Sequence, residues 1–251
     1  MTLLKLLLVP AAVWLASLAA RRWGHAVSGY LGGMPLIGGP ITLYLALDPG
    51  PDFAARSATL TLAAILGQAA HLLAFAHTAR WGRWALSLFA GWGAYAIVSI
   101  GIAQLPLTPL GAFALALAGL ALAWIALPRV HGVATVPSIP PVELWLRVGA
   151  AFALAGMILW SANVFGPVVS GILLSVPVTG SIMPPFTLAL YGSGALARLL
   201  RGFVLGLTGF TAFFFTVAST VVSWGVALSF CAAVIVALAS VSIATRARPV
   251  R

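Results

Sequence analysis

Residues 24–38 read GHAVSGYLGGMPLIG, and residues 166–180 read GPVVSGILLSVPVTG. At a constant offset of 142, Gly24 aligns with Gly166, Val27 with Val169, Ser28 with Ser170, Gly29 with Gly171, Leu31 with Leu173, Pro35 with Pro177 and Gly38 with Gly180. Seven identities in fifteen positions exceed what even this biased composition supplies, and the offset returns at Ala85-Leu86-Ser87 and Ala227-Leu228-Ser229. The two halves read as copies of one unit.

The solvent of that unit follows from composition. The 251 residues are 62% hydrophobic and 6% charged, against about 45–50% and 25% in an ordinary soluble domain. Thirteen Lys/Arg, three Asp/Glu and four His cannot cover a globule of this size with charge, so a soluble fold is excluded and lipid is the expected surrounding. A spanning helix takes about 20 residues, which leaves room for about eight to ten. Apolar runs bounded by charge, Gly or Pro give nine candidates: 2–20, 27–47, 57–79, 84–100, 108–127, 145–165, 168–190, 195–217 and 220–244. Lys5 and the apolar run after it have the outline of a signal peptide, but the later duplicate and the charge pattern argue that this first run is retained as a span.

With the amino terminus on side A, eleven arginines fall on side B: 21, 22, 80, 83, 129, 147, 198, 201, 246, 248 and 251. Side A receives Lys5 and Arg56, together with Asp48 and Asp52. Loop Lys/Arg stay on the cytoplasmic side, so the amino terminus is expected outside and the carboxyl terminus in the cytoplasm, in a bacterial inner (plasma) membrane. Trp23, Trp81, Trp84 and Trp145 fall at cytoplasmic span ends, and Trp160 and Trp224 near outer ones, as interfacial indoles do. Each arginine reads as an interfacial anchor. The net charge of +10 is therefore a matter of orientation, and nucleic acid is not an expected partner.

The duplicated segments belong to spans two and seven, and a separation of five makes the copies cross in opposite directions. The expected fold is an all-α polytopic membrane protein of about nine transmembrane helices. Two inverted four-helix repeats, spans 1–4 and 6–9, are joined by a fifth span. In residue terms, 1–101 form the first repeat, 102–144 the connecting span with a cytoplasmic Pro-rich linker, and 145–251 the second repeat.

Pro35 and Pro177 each remove a backbone donor inside a span and crowd the carbonyl one turn earlier. Gly29, Gly32, Gly33, Gly38, Gly39 and Pro40 surround the first, and Gly171, Gly180, Pro184 and Pro185 the second. Spans two and seven are thus expected to be broken. Unwound backbone in lipid is tolerated only against protein or a water-filled cavity, so two breaks at matching depth predict one polar midplane site. The substrate-binding residues expected there are Ser28, Pro35, Gly38, Gly39, Thr42, Gln68, His71, Ser170, Pro177, Thr179, Gly180 and Ser181. The same small-residue faces also suit dry helix packing.

Span three carries Gln68 and His71 on one face, with His77 nearer the cytoplasm. An intramembrane histidine is a functional candidate, and a neutral, hydrogen-bonded packing histidine is the plain alternative. Asn163 reads as a helix cap. Glu143 is assigned to the inner loop and the two aspartates to the outer one, so no carboxylate is expected at mid-membrane depth and proton coupling through one is not expected. Cys231 is the only cysteine; with no HExxH or Cys cluster, no metal and no cofactor are expected. Walker, GxSxG and paired-aspartate motifs are missing as well, and an enzyme is not expected.

The segment RRWGHAVSGYLGGMPLIGGPITLYLALDPGPDFA, residues 21–54, resembles a group of uncharacterised bacterial inner-membrane proteins with an Arg-x-Gly…Gly-x-x-Pro…Gly-Pro…Leu-Ala-Leu pattern. In architecture the opposed, broken spans resemble inverted-repeat secondary transporters, among them the bile-acid/sodium symporter-like proteins, which have ten helices and acidic or polar ion ligands near the crossing. The resemblance implies transport of a small organic solute, an anionic one included, by alternating access at the midplane. A channel or pore, or an accessory membrane subunit without transport, is the alternative. The lipid bilayer and a small-molecule solute are the expected partners, and a homo-oligomer is compatible with the pattern.

Overall fold

The computed structural model describes residues 2–48, 50–129, 141–153 and 177–247. They form helices, with no strand among the described residues. In chain order these are α1 (Thr2–Trp23), α2 (His25–Gly33), α3 (Gly38–Leu47), α4 (Pro51–Ala63), α5 (Ile65–Thr78), a short 3-10 turn (Ala79–Trp81), α6 (Trp84–Ala103), α7 (Pro109–Ala126), α8 (141–153), α9 (Val178–Trp224) and α10 (Val226–Ala247). Among the described residues, six stretches are long and apolar enough to cross a membrane: His25–Leu47, Pro51–Trp81, Trp84–Ala103, Pro109–Ala126, Val178–Trp224 and Val226–Ala247. Residues 154–165 of the span expected at 145–165 and 168–176 of that expected at 168–190 lie outside the described residues, as do Ser170, Asn163 and the second motif copy up to residue 176.

Glycine decides where several helices begin. Gly24 (φ 88, ψ 174), Gly50 (φ 112, ψ 170) and Gly225 (φ 78, ψ 167) stand immediately before α2, α4 and α10. Gly192 (φ 76, ψ −175) divides α9 into a short arm, 178–191, and a long arm, 193–224. All four occupy a region open essentially to glycine alone. Gly50 and Gly192 are 142 residues apart, the spacing of the duplicated motif. The long arm runs to Trp224, past the boundary expected at 217–220, because Gly225 rather than the Ser/Thr-rich stretch before it turns the chain. At α7, Thr108 caps the start by accepting from the Gly111 N–H at 3.1 Å, with Pro109 pre-set for the first turn.

The long arm is the axis of the bundle. α2, α4 and α10 pack along α9, and α5, α6 and α7 also touch it. The α2 crossing is backbone on backbone: a methyl group at Gly29 would overlap the Leu199 carbonyl oxygen, and one at Gly33 the Phe203 carbonyl oxygen. Reciprocally, methyl groups at Gly202 and Gly206 would overlap the carbonyl oxygens of Ala26 and Tyr30. Two small-xxx-small faces thus interlock, as helices do where apolar solvent gives no reward for large side chains at the seam. Phe210, Phe213 and Phe214 continue the packing, with Phe210 and Phe214 ring centroids 4.4 Å apart and Phe213 edge-on to Phe230 of α10.

Outward faces are apolar: Ile97 is 75% exposed, Ile125 80% and Ile243 69%. A water-soluble surface does not carry such a belt; a lipid-facing one does. Trp23 and Trp81 are exposed, with Arg22 and Arg80 over their rings at 5.8 and 4.9 Å. Arg201 closes the end of α7, donating to the carbonyls of Leu127 and Pro128 at 3.0 Å each, which a helix terminus would otherwise leave bare.

Candidate substrate site at the helix breaks

The first break is visible residue by residue. α2 stops at Gly33, and the chain turns through 34–37 before α3 starts at Gly38. Pro35 has no N–H to continue the helix, so the Met34 N–H folds back to the Leu31 carbonyl at 3.2 Å and the Leu36 N–H to the Met34 carbonyl at 2.8 Å. In the second motif copy the described residues resume at Pro177, whose carbonyl opens the short arm by accepting from the Ser181 N–H at 2.8 Å. The end of α2 adjoins the start of the short arm: a methyl group at Gly32 would stand 3.2 Å from Thr179 Cγ2. Leu31 and Ile37 also share an apolar cluster with Val178 and Ile182.

His71 joins them from α5. It is wholly buried, and its Nε2 lies 3.3 Å from the Gly180 carbonyl oxygen. Pro184 explains why that oxygen is available, since the residue four positions on has no amide hydrogen to offer. A carbonyl only accepts, so Nε2 carries the proton. Nδ1 lies against Gly91 of α6 without a hydrogen bond of good geometry, and a methyl group at Gly91 would stand 2.8 Å from it. Trp92, also on α6, donates from Nε1 to Ser181 Oγ at 2.8 Å, and that hydroxyl donates to the Pro177 carbonyl at 2.9 Å. Imidazole, indole and hydroxyl converge on the first turn after Pro177.

His71, Pro177, Thr179, Gly180 and Ser181 are therefore brought together. Gln68 is buried one turn before His71 on the same helix. Ser28 is wholly buried on α2 with no hydrogen-bond partner for its hydroxyl. Gly38 and Gly39 instead face the rings of Phe214 and Phe213, and Thr42 spends its hydroxyl on the Gly38 carbonyl at 2.8 Å. Pro35 is half-buried within the turn. Ser170 lies outside the described residues. Trp92 escaped the sequence reading; its position midway along a span, where an indole N–H needs a partner, was the available signal.

A second buried polar group lies where α1, α2, α8 and the short arm meet. Glu143 is assigned to a loop by the sequence, yet it sits in the first turn of α8 and is 4% exposed. Arg147, expected as an interfacial anchor, is wholly buried. Its Nε and Nη2 donate to Glu143 Oε1 at 2.9 and 2.5 Å, and Tyr191 donates its phenol to Oε2 at 2.5 Å. Arg147 Nη1 is left with the Met183 thioether at 3.4 Å, which also receives the Ser17 hydroxyl at 3.7 Å. The guanidinium lies 5.5 Å from the Phe186 ring centroid. His25 packs on Tyr191 at 4.9 Å between centroids, and its Nδ1 is buried without a partner. The i,i+4 spacing of Glu143 and Arg147 was the sequence signal; the helix expected from 145 left the glutamate outside it. Among the described residues no three His, Cys, Asp or Glu side chains cluster as a metal site would require. No family model, curated protein or solved structure matches the chain.

Proposed function

We propose that this chain is a secondary transporter of the bacterial inner membrane that moves a small organic solute by alternating access at the paired helix breaks. The observation that carries the reading is the adjacency of the α2–α3 interruption to the helix start after Pro177, with Gly32 against Thr179 and the carbonyl freed at Gly180 held by His71. Broken spans meeting near the midplane are where transporters of inverted-repeat design hold their solute. The equal spacing of Pro35 and Pro177 and of Gly50 and Gly192 supports two opposed copies, nine spans, an outer amino terminus and a cytoplasmic carboxyl terminus. The membrane itself is the other partner.

The reading is tested in proteoliposomes by counterflow of radiolabelled small organic acids and amino acids. Pro35→Ala and Pro177→Ala are expected to cut the saturable flux at least tenfold while the protein stays folded. Unchanged flux in both variants removes the broken-helix mechanism, and flux that never saturates or shows no counterflow replaces a transporter with a channel. The interlocked glycines of α2 and the long arm favour a second reading, an accessory subunit whose helices only pack; wild-type protein that moves no solute in the screen would select it.

A further inference from the structure

Arg147 is a wholly buried, permanently charged group with an unequal share of partners. Two of its nitrogens hold a carboxylate, while Nη1 is given a thioether, one of the weakest acceptors in proteins. Along α2 and the short arm, three hydrogen-bonding atoms stand buried with no hydrogen-bond partner. His25 Nδ1 and Ser28 Oγ are on α2, and Thr187 Oγ1 is on the short arm, one helical turn from both Met183 and Tyr191. The His25–Tyr191 contact at one end and the Gly32–Thr179 approach at the other bracket this seam between α2 and the short arm. Native interiors rarely leave three such atoms unsatisfied along one seam, and each is a place for a ligand or water to bond.

The charge count narrows what that ligand is. Glu143 and Arg147 neutralise each other. A lone anion at Nη1, or a lone cation at the second carboxylate oxygen, would add a net charge to a buried pair that is already balanced, and an uncompensated buried charge is the costly outcome. A solute carrying both charges, net neutral, can bind both groups without adding net charge. Its carboxylate would accept from Arg147 Nη1 in place of Met183 Sδ and from the seam hydroxyls. Its ammonium would donate to the Glu143 oxygen that Tyr191 now occupies.

We propose that the transported solute is a zwitterion of the α-amino-acid class, recognised by Arg147 through its carboxylate and by Glu143 through its ammonium, with Ser28 and Thr187 completing the carboxylate's hydrogen bonds. The proposal rests on the transport reading above and names the solute class for it. The seam begins at the breaks and extends the site toward Tyr191.

The test is direct binding to the full chain in detergent, with three probes of matched size: L-alanine, propionate and propylamine. L-Alanine is expected to bind saturably and the other two at least tenfold more weakly. Glu143→Gln should weaken alanine binding at least tenfold. Tyr191→Phe deletes one hydroxyl, so it keeps the fold available if Glu143→Gln does not, and by freeing Oε2 it should tighten alanine several-fold. Propionate binding as tightly as alanine overturns the zwitterion assignment and leaves transport of an anion standing. Alanine binding that neither variant changes places the solute elsewhere and overturns the site. Absence of alanine binding in a protein that still passes the counterflow test overturns the solute class alone.

Discussion

Placing alanine at Gly29 and Gly202, singly and together, probes the crossing of α2 on the long arm. A methyl group at Gly29 would overlap the Leu199 carbonyl oxygen and stand 2.8 Å from the Phe203 nitrogen; one at Gly202 would overlap the Ala26 carbonyl oxygen and stand 3.0 Å from its carbon. Every one of these is a backbone atom that cannot rotate aside. Carbon contacts are most favourable at about 3.5–4.0 Å, so the helices must separate by about 1 Å, a gap that forfeits a quarter to a half of each contact along the seam. Overpacking of this kind costs about 1–3 kcal/mol. Alanine also gains about 1 kcal/mol of helix propensity over glycine, and Gly93→Ala isolates that gain, because a methyl group there meets nothing within 4 Å. In a reversible denaturant titration followed by tryptophan fluorescence, Gly29→Ala and Gly202→Ala should each fall about 1–3 kcal/mol below Gly93→Ala. The double variant should lose less than the two losses combined, by at least about 0.5 kcal/mol, since one separation accommodates both methyl groups. Equal stability of Gly29→Ala and Gly93→Ala, or full additivity in the double variant, refutes the backbone contact.

Gly192→Ala forces a side chain into φ 76, ψ −175 and is expected to lower the unfolding midpoint by the equivalent of about 1–3 kcal/mol, whereas Gly82→Asn, at φ 69, ψ 4, stays near wild type because asparagine tolerates the left-handed helical region. Arg147→Met strands Glu143 and should cost about 3–5 kcal/mol, while Arg147→Met combined with Glu143→Gln recovers part of that loss; a double variant as unstable as the single one contradicts the pairing. His71→Leu leaves the Gly180 carbonyl without a donor and should cost about 1–3 kcal/mol in the same titration, with His71→Gln, which keeps an N–H, losing less. A rank order reversed between those two would show that imidazole shape, and not its hydrogen bond, is what the site requires.

The spans most legible in the sequence are those with nothing inside them. The expected 84–100 and 108–127 are α6 and α7 to within three residues, because Arg83 and the Thr108-Pro109 pair punctuate otherwise uninterrupted apolar runs. The interruption after Gly33 was legible from Pro35, whose missing donor acts locally. The partners across space were not. Nothing in the spacing of Gly29 and Gly33 says that Gly202 and Gly206 will face them, since an interlock is a property of two helices and the period of each reports only its own face. The buried ion pair escaped for a related reason: arginine at a span end has an interfacial explanation at hand, and only the neighbours Ser17, Met183, Phe186 and Tyr191, contributed by α1 and the short arm, reveal that Arg147 is enclosed. The polar node at His71 was half legible, as a histidine in an apolar run, but its acceptor was set by a proline 113 positions away, at Pro184.

That proline has an effect on how the molecule is assembled. A continuous helix in lipid satisfies itself and owes its neighbours only shape. By deleting one rung, Pro184 gives the short arm a debt that no residue of its own can settle, and the imidazole from α5 settles it. The weakest point of the rod is thereby also its address: any register of α5 against α9 other than the observed one leaves an oxygen bare in a medium that offers no water to cover it.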